Sequence, residues 1–417
     1  MIKITDRRES GRLPRLGLWS ALALAASVAS SSAQPQVATQ RWDAESSAQL
    51  LAYIGQIDRQ GLVALDYAPD RLQLALSSRD AIRIEAAATY SFATLARDLA
   101  QGRIPPGRRG RYYIASDPLE PKAVADLIDV ALAKHTIEAT LDSLVPQNPQ
   151  YRAMVTALAR LPSGNTPERQ ALRVNLERQR WLPRELGADR LVVNIPEYTL
   201  HLFRDGREAA SFRVIVGKPS TPTPRFSAQV IGVIVNPPWV VPQSIIHESI
   251  GKLIRTNPGA ARAQGYAWTY AGGRLHVTQR PGPRNSLGQI KLDMPNPYTV
   301  YLHDTPSKAL FDKEQRTFSH GCMRVDRPAD LATMLLSATG INRPALNQML
   351  EGRSTRRLPL DRPLPVYVIY QTVVADANGA IRYLSDTYRL DSGIAAQLSG
   401  NAPALSASAT LTECNAA

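Results

Sequence analysis

Residues 318–325 read Phe-Ser-His-Gly-Cys-Met-Arg-Val and set one of the two cysteines of the chain, Cys322, beside His320 and Gly321. A thiol in that setting is a candidate nucleophile, and because only the thiolate attacks a carbonyl efficiently it needs a neighbouring base or cation. His303 can supply either. It lies in the apolar-alternating run Val300-Tyr301-Leu302-His303-Asp304-Thr305, 19 positions before the cysteine, close enough for two neighbouring strands to bring the pair together. Gly321 lacks the Cβ that would crowd a tight turn and tolerates positive φ. The N–H groups of His320, Gly321 and Cys322 are therefore expected to converge on one point, an oxyanion hole in which each donor is typically worth ~2.7 to 4 kcal/mol of transition-state stabilisation. Arg324 is a candidate for a two-pronged contact with a substrate carboxylate. A metal is not expected on His303, His320 and Cys322, which lack a fourth ligand and the C-x-x-C spacing usual for zinc.

The elements that must position these groups fall into two regions. From Trp42 to about Leu186 the pattern is helical: Leu50, Leu51, Ile54 and Ile57 share a face after the capping residue Asp43. The stretches 82–99 and 124–132 repeat that spacing, and Thr166-Pro167-Glu168 opens a helix that runs to Trp181 and stops at Pro183. Near Asp189 the period changes to two. Strands are expected at 191–195, 198–203, 211–216, 230–235, 275–278 and 298–303, with Asp205-Gly206 as a tight hairpin turn. Pro237-Pro238-Trp239 leads into Ile245, Ile246, Ile250, Leu253 and Ile254, one face of an inserted helix that reads as a lid, and the turn-dense 281–288 segment borders the same site. The run from Arg327-Pro328 to Leu336 reads as a helix, which predicts that Cys322 sits in the turn entering it. His135, His201 and His276 read as packing or surface residues.

The chain has 417 residues, a formal charge of +13 and 44% hydrophobic residues, enough for two or three globular units. Basic residues through Arg15, an apolar stretch from Leu16 to Ala29 and Ser31-Ser32-Ala33 form the pattern of a signal peptide, and the stretch is shorter than the ~20 residues of a membrane helix. Removing residues 1–33, with five basic and two acidic side chains, leaves +10. For an exported protein that charge points to an anionic wall polymer or a membrane surface rather than to nucleic acid. A bridge between Cys322 and Cys414 would consume the nucleophile, and the small polar tail around Cys414 offers little to hold it, so no disulfide is expected.

His303, followed after fifteen residues by Ser319-His320-Gly321-Cys322 and then Arg324, resembles the motif of the L,D-transpeptidase (YkuD-type) family. The resemblance extends to Asn175-Leu176-Glu177-Arg178, Trp181-Leu182-Pro183, Val193-Asn194-Ile195-Pro196 and His303-Asp304-Thr305-Pro306, which look like the long proteobacterial members with a helical scaffold. It implies an α+β protein: a signal peptide at 1–33, an all-helical scaffold domain at 34–186, a β-rich catalytic domain with an inserted lid at 187–372, and a partly disordered C-terminal extension at 373–417. It further implies a periplasmic acyltransferase without cofactors. Its cysteine, here Cys322, takes the acyl group of a peptidoglycan stem peptide at an L-configured diaminopimelate carbonyl, expels D-alanine and passes the thioester to a second stem as a 3→3 cross-link. His303 would be the base, the Asp304 carbonyl would orient it, and His320 and Gly321 would shape the oxyanion site. Arg324, Ser319, Tyr301 and Trp239 would bind substrate, and carbapenems would acylate the thiol. Arginine stands at 324 where many members carry asparagine, and Leu161 to Glu177 leaves no room for a peptidoglycan-binding module. The alternatives are the same acyl-enzyme resolved by water or by a protein lysine, and a non-catalytic wall-binding scaffold.

Overall fold

The computed structural model describes residues 42–400. Apolar residues three and four apart give seven helices before the first long strand: α1 Ala44–Gly55, α2 Pro69–Ser78, α3 Ala81–Gln101, α4 Pro121–Ala133, α5 Ile137–Ser143, α6 Pro149–Arg160 and α7 Pro167–Arg180. Their starts follow the capping chemistry read in the sequence. Asp43 accepts from Ser46 N at 2.6 Å, and Thr166 Oγ1 from Arg169 N at 3.2 Å with Pro167 in the first turn. Leu50, Ile54, Phe92, Leu95, Leu132, Met154 and Leu172 close one apolar core among these helices.

The exception to that pattern is α7, which is strongly polar and yet buried. Glu177 and Arg180 pair at 3.2 Å with no exposure on either side chain, and Glu177 also accepts from Trp181 Nε1 at 2.9 Å and Ile104 N at 2.8 Å. Asn175 exchanges two 2.8 Å hydrogen bonds with Thr372, and Arg178 pairs with Asp391 at 2.6 Å. Charges so buried hold only when fully partnered, so α7 is the polar seam between the helical region and the C-terminal part of the chain.

The strands are β1 Tyr112–Tyr113, β2 Arg190–Asn194, β3 Thr199–Arg204, β4 Arg207–Gly217, β5 Arg225–Val235, β6 Trp239–Val240, β7 Tyr266–Ala271, β8 Arg274–Gln279, β9 Ile290–Asp293, β10 Leu302–His303, β11 Thr317–Ser319, β12 Met323–Val325, β13 Arg356–Ile369, β14 Val373–Ala375 and β15 Ile381–Tyr383. In the main sheet β5, β13, β2, β3, β4, β12, β10 and β9 lie side by side in that order, and β9 pairs again with β5, so the sheet closes on itself. Pairing is parallel for β13 with β2 and for β10 with β12. The inward set, including Val193, Leu200, Val214, Val233, Leu292, Leu302, Met323 and Val368, forms the second core together with α11 (Pro328–Leu336) and Leu346 of α12 (Arg343–Glu351). The Asp205-Gly206 turn forms as expected, with φ of 50° and 77° joining β3 to β4.

Between β5 and β9 the chain makes an insert. It contains α8 Gln243–Ile245, a π-helical turn Ile246–Ile250, α9 Gly251–Thr256, α10 Pro258–Ala263 and the small sheet β6-β8-β7. Val241, Ile246, Ile254, Ala261, Tyr266 and Val277 give it a core of its own. The single inserted helix expected from the sequence is thus a broken helix in a small subdomain, and the 275–278 strand belongs to that subdomain.

One further expectation is corrected. Cys322 enters strand β12 rather than a helix, because Met323 and Val325 alternate into the core and helix α11 starts only at Pro328. The segment after residue 372 is an ordered hairpin (β14, β15) and a helix, α13 Asp391–Leu398, as far as the described residues extend: Val373 completes the helical core, and Ile394 and Leu398 pack with Val174 and Trp181. Among the described residues Cys322 forms no disulfide. The stretch read from the sequence as a signal peptide and Cys414 lie outside the described residues, among which no helix is long and apolar enough to cross a membrane.

Replacing Glu177 by Ala leaves Arg180 buried without its carboxylate and should lower stability by about 3 to 5 kcal/mol, read from denaturant unfolding of the full chain. A loss below about 1 kcal/mol would show that the seam is not held by this pair.

Candidate active site

The register of β10 and β12 builds the site. Leu302 pairs with Met323 and His303 with Arg324, and Met323 N donates to Tyr301 O at 2.8 Å. Alternation sends Leu302, Met323 and Val325 into the core, and therefore Tyr301, His303, Cys322 and Arg324 to the outer face. All four line one cavity of about 490 Å³, whose other walls come from the insert, among them Trp239, Val240, Ile245, Ile250 and Tyr266, and from Ser286 and Leu287. Cys322 is 8% and His303 5% exposed, so the thiol and the imidazole lie at the bottom of a covered pocket rather than on open surface.

His303 Nδ1 donates to Asp304 O at 2.5 Å. Asp304 is fixed in turn: its carboxylate accepts from Gln289 N at 2.8 Å and Thr305 N at 2.7 Å and pairs with Lys308. Gly288, at φ +62°, passes so close that a Cβ there would collide with the Asp304 carboxyl, which requires glycine. Burial first, then the charge of Arg324, pushes the His303 pKa down to about 3, against the Asp304 and Leu287 carbonyls that favour the protonated ring. The resting imidazole is neutral, able to receive a proton. Arg324 itself is lowered by burial, and its charge is favoured by the sulfur of Cys322. Cys322 Sγ lies 3.9 Å from Thr299 O, on a turn where Thr299 has φ +51° and Asn296 Oδ1 accepts from Tyr298 N and Val300 N.

The turn before the cysteine is stapled internally. Ser319 Oγ accepts from Gly321 N at 3.1 Å and donates to Cys322 O at 2.5 Å, Thr223 Oγ1 donates to Gly321 O at 2.8 Å, and Gly321 sits at φ +117°. This bears on two of the expected site residues. Ser319, on the cavity wall but 2% exposed, has its hydroxyl engaged within the turn. The Gly321 amide donates to that same hydroxyl. The His320 ring turns to the insert, where Nε2 meets Glu248 Oε2 at 2.7 Å, with Lys218 Nζ 3.5 Å from the other oxygen. His201 is ion-paired with Glu197 and Glu208 at the sheet surface, away from the cavity.

Residues 188–346 match the family model described as the L,D-transpeptidase catalytic domain (YkuD), and residues 38–158 match that of the Scaffold domain. A Haemophilus influenzae protein whose name assigns it provisionally to the L,D-transpeptidases is 31% identical over 269 residues, 60% of this chain. The chain spans 54% of that relative's length. Among solved structures, an L,D-transpeptidase from Mycobacterium smegmatis is 17% identical over 44% of this chain and 58% of its own, with a TM-score of 0.25. The catalytic domain of an E. faecium L,D-transpeptidase acylated by ertapenem is 12% identical over 44% of this chain and 99% of its own, with a TM-score of 0.23. Residues 188–346, which hold Cys322 and most strands of the main sheet, are thus similar to the L,D-transpeptidase catalytic domain, and the helical region ahead of them is similar to the Scaffold domain.

Because His303 is held near 3 in the folded chain against about 6.5 unfolded, its contribution to stability is complete above pH 6.5 and is lost as the pH falls through that value toward 3. Between pH 7.5 and 5 the loss should be about 2 kcal/mol, and the His303→Asn variant should show a correspondingly smaller loss in denaturant unfolding. Ser319→Ala removes both staples of the turn and should cost about 1 to 3 kcal/mol by the same measurement. An unchanged unfolding curve would rule out the staple.

Proposed function

We propose that the protein is an exported, periplasmic peptidoglycan L,D-transpeptidase that forms 3→3 cross-links through a cysteinyl thioester at Cys322. The observation that carries the reading is the placement of Cys322, His303 and Arg324 on one outward face of the closed sheet, at the floor of a cavity roofed by the insert.

In the first half-reaction His303 accepts the thiol proton, and the sulfur attacks the L-centre diaminopimelate carbonyl of a tetrapeptide stem. Arg324 supports the sulfur anion, and the carbonyls of Asp304 and Leu287 support the imidazolium. The oxyanion faces the amides of His320 and Cys322. Collapse breaks the amide bond, and the proton on His303 leaves with the amine of D-alanine. In the second half, the side-chain amine of another stem attacks the thioester and gives a proton to His303, which passes it to the departing sulfur. Tyr301 and Trp239 line the path of the donor peptide. The net charge of +10 that remains once residues 1–33 are removed favours approach to an anionic wall.

The test is intact-mass analysis of the full chain with a tetrapeptide donor and with a carbapenem, followed by analysis of the peptide products. A tripeptide adduct and a carbapenem adduct are expected, together with tripeptide-linked dimers once an acceptor stem is added. Cys322→Ser should reduce dimer formation on the order of a thousandfold or more. An adduct that yields only free tripeptide or a labelled protein lysine would move the assignment to hydrolysis or protein anchoring. The absence of any adduct would reject the enzyme.

A further inference from the structure

Five outward side chains fall in one register row across the closed sheet: Arg324 on β12, His303 on β10, Lys291 on β9, Ile234 on β5 and Arg357 on β13. Each of them lines the cavity. Neighbouring strands are about 4.8 Å apart, so Lys291 and Arg324 stand on either side of His303 with on the order of 10 Å between their Cα atoms, a span that a lysine and an arginine reach across together. Lys291 is aimed by a contact with Tyr301, whose ring centroid is 3.6 Å from its ammonium, and Tyr301 leads the strand that pairs with the peptide after Cys322.

The cations of the row differ in what answers them. Arg357 at the rim is 62% exposed and pairs with Asp293. Arg324 is half-buried, and among the described residues no carboxylate lies within ion-pair distance of it. The imidazole between Lys291 and Arg324 is held neutral, in part by these two positive charges. A guanidinium partly drawn out of water without a carboxylate partner is placed to take one from a ligand.

We infer that Lys291 and Arg324 form a carboxylate-reading pair flanking His303, which selects donor peptides that carry a free carboxylate beside the scissile bond. The inference rests on the reading of Cys322 as the acyl-accepting nucleophile. Arginine supplies the planar two-pronged contact and lysine a mobile point charge. Two carboxylates of a donor stem have this chemistry: that of the departing D-amino acid and the non-reacting one of the diamino acid. Bound between the two cations, either would also offset the positive field that suppresses protonation of His303, so the correct donor strengthens the base that activates its own attack.

Acyl-enzyme formation is followed by intact mass with three donors: the free-acid tetrapeptide, its C-terminal amide, and the peptide amidated on the diamino acid's non-reacting carboxylate. For the native chain, one of the two amidations should lower the acylation rate constant on the order of tenfold, the size of one charge-assisted hydrogen bond, and which one it is identifies the carboxylate. Lys291→Gln should lose a similar factor on the free acid and show no further loss on that amide, whereas Lys291→Arg should keep the discrimination. Equal acylation of all three donors, or a Lys291→Gln loss of the same size on acid and amide, would overturn the inference and leave the transpeptidase reading intact. No acyl-enzyme with any donor would overturn both.

Discussion

The parallel pairing of β10 with β12 is the constraint that fixes the site. A strand pair determines not only that two segments touch but which side chains share a face, and a slip of one residue would send His303 or Cys322 into the core. The register is enforced from the inner side, where Leu302, Met323 and Val325 are part of a packed core, so the cost of a slip is the burial of polar groups and the exposure of three apolar side chains. The arrangement of His303 and Cys322 is thus held by hydrophobic packing on the opposite, inner side of the sheet.

Around this pair the structure adds fixed polar contacts at each place where the backbone must bend. Asp304 is gripped by two amides and Lys308, and Gly288 is the neighbour small enough to pass it. Ser319 ties the turn before the cysteine to itself. At the base of the insert, Asn285 Nδ2 donates to Pro237 O, Gln279 O and Arg280 O at 3.0 to 3.2 Å, and the Asn236 side chain donates to Met349 O and Leu350 O. The cavity floor and the root of its roof are therefore tied down by hydrogen bonds at each bend. The contact of Glu248 with His320 joins the roof to the motif at a side chain that is half exposed.

Much of this is legible in the sequence. The thiol and imidazole, their strand neighbourhood from a separation of 19 residues, the capped helices and the period change near Asp189 all depend on local pattern, and local pattern survives in the fold. What is not legible depends on register or on distant partners. Lys291 and Arg357 join the site row through β9 and β13, strands that local pattern does not single out, and neither side chain departs from an ordinary surface charge in sequence. The residue types of Ser319 and Gly321 permit both to face substrate; the three-residue staple between them is visible only in coordinates. The start of helix α11 is ambiguous from local pattern, since Met323 and Val325 suit a strand or a helix equally well until the neighbouring β10 supplies hydrogen bonds. The order of the segment after residue 372 is hidden because α13 has little amphipathic pattern and is held by the α7 seam.

That last feature bears on the order in which the molecule can be completed. Val373 fills the core of the N-terminal helices, Gln150 exchanges hydrogen bonds with Ala375 across 225 positions, and Thr372 closes on Asn175 across 197. Contacts of such sequence separation form late, after the loop between them has been closed. The helical core is therefore complete only when a segment 225 residues after Gln150 is in place, and the main sheet lies, along the chain, between the two halves of a single clasp.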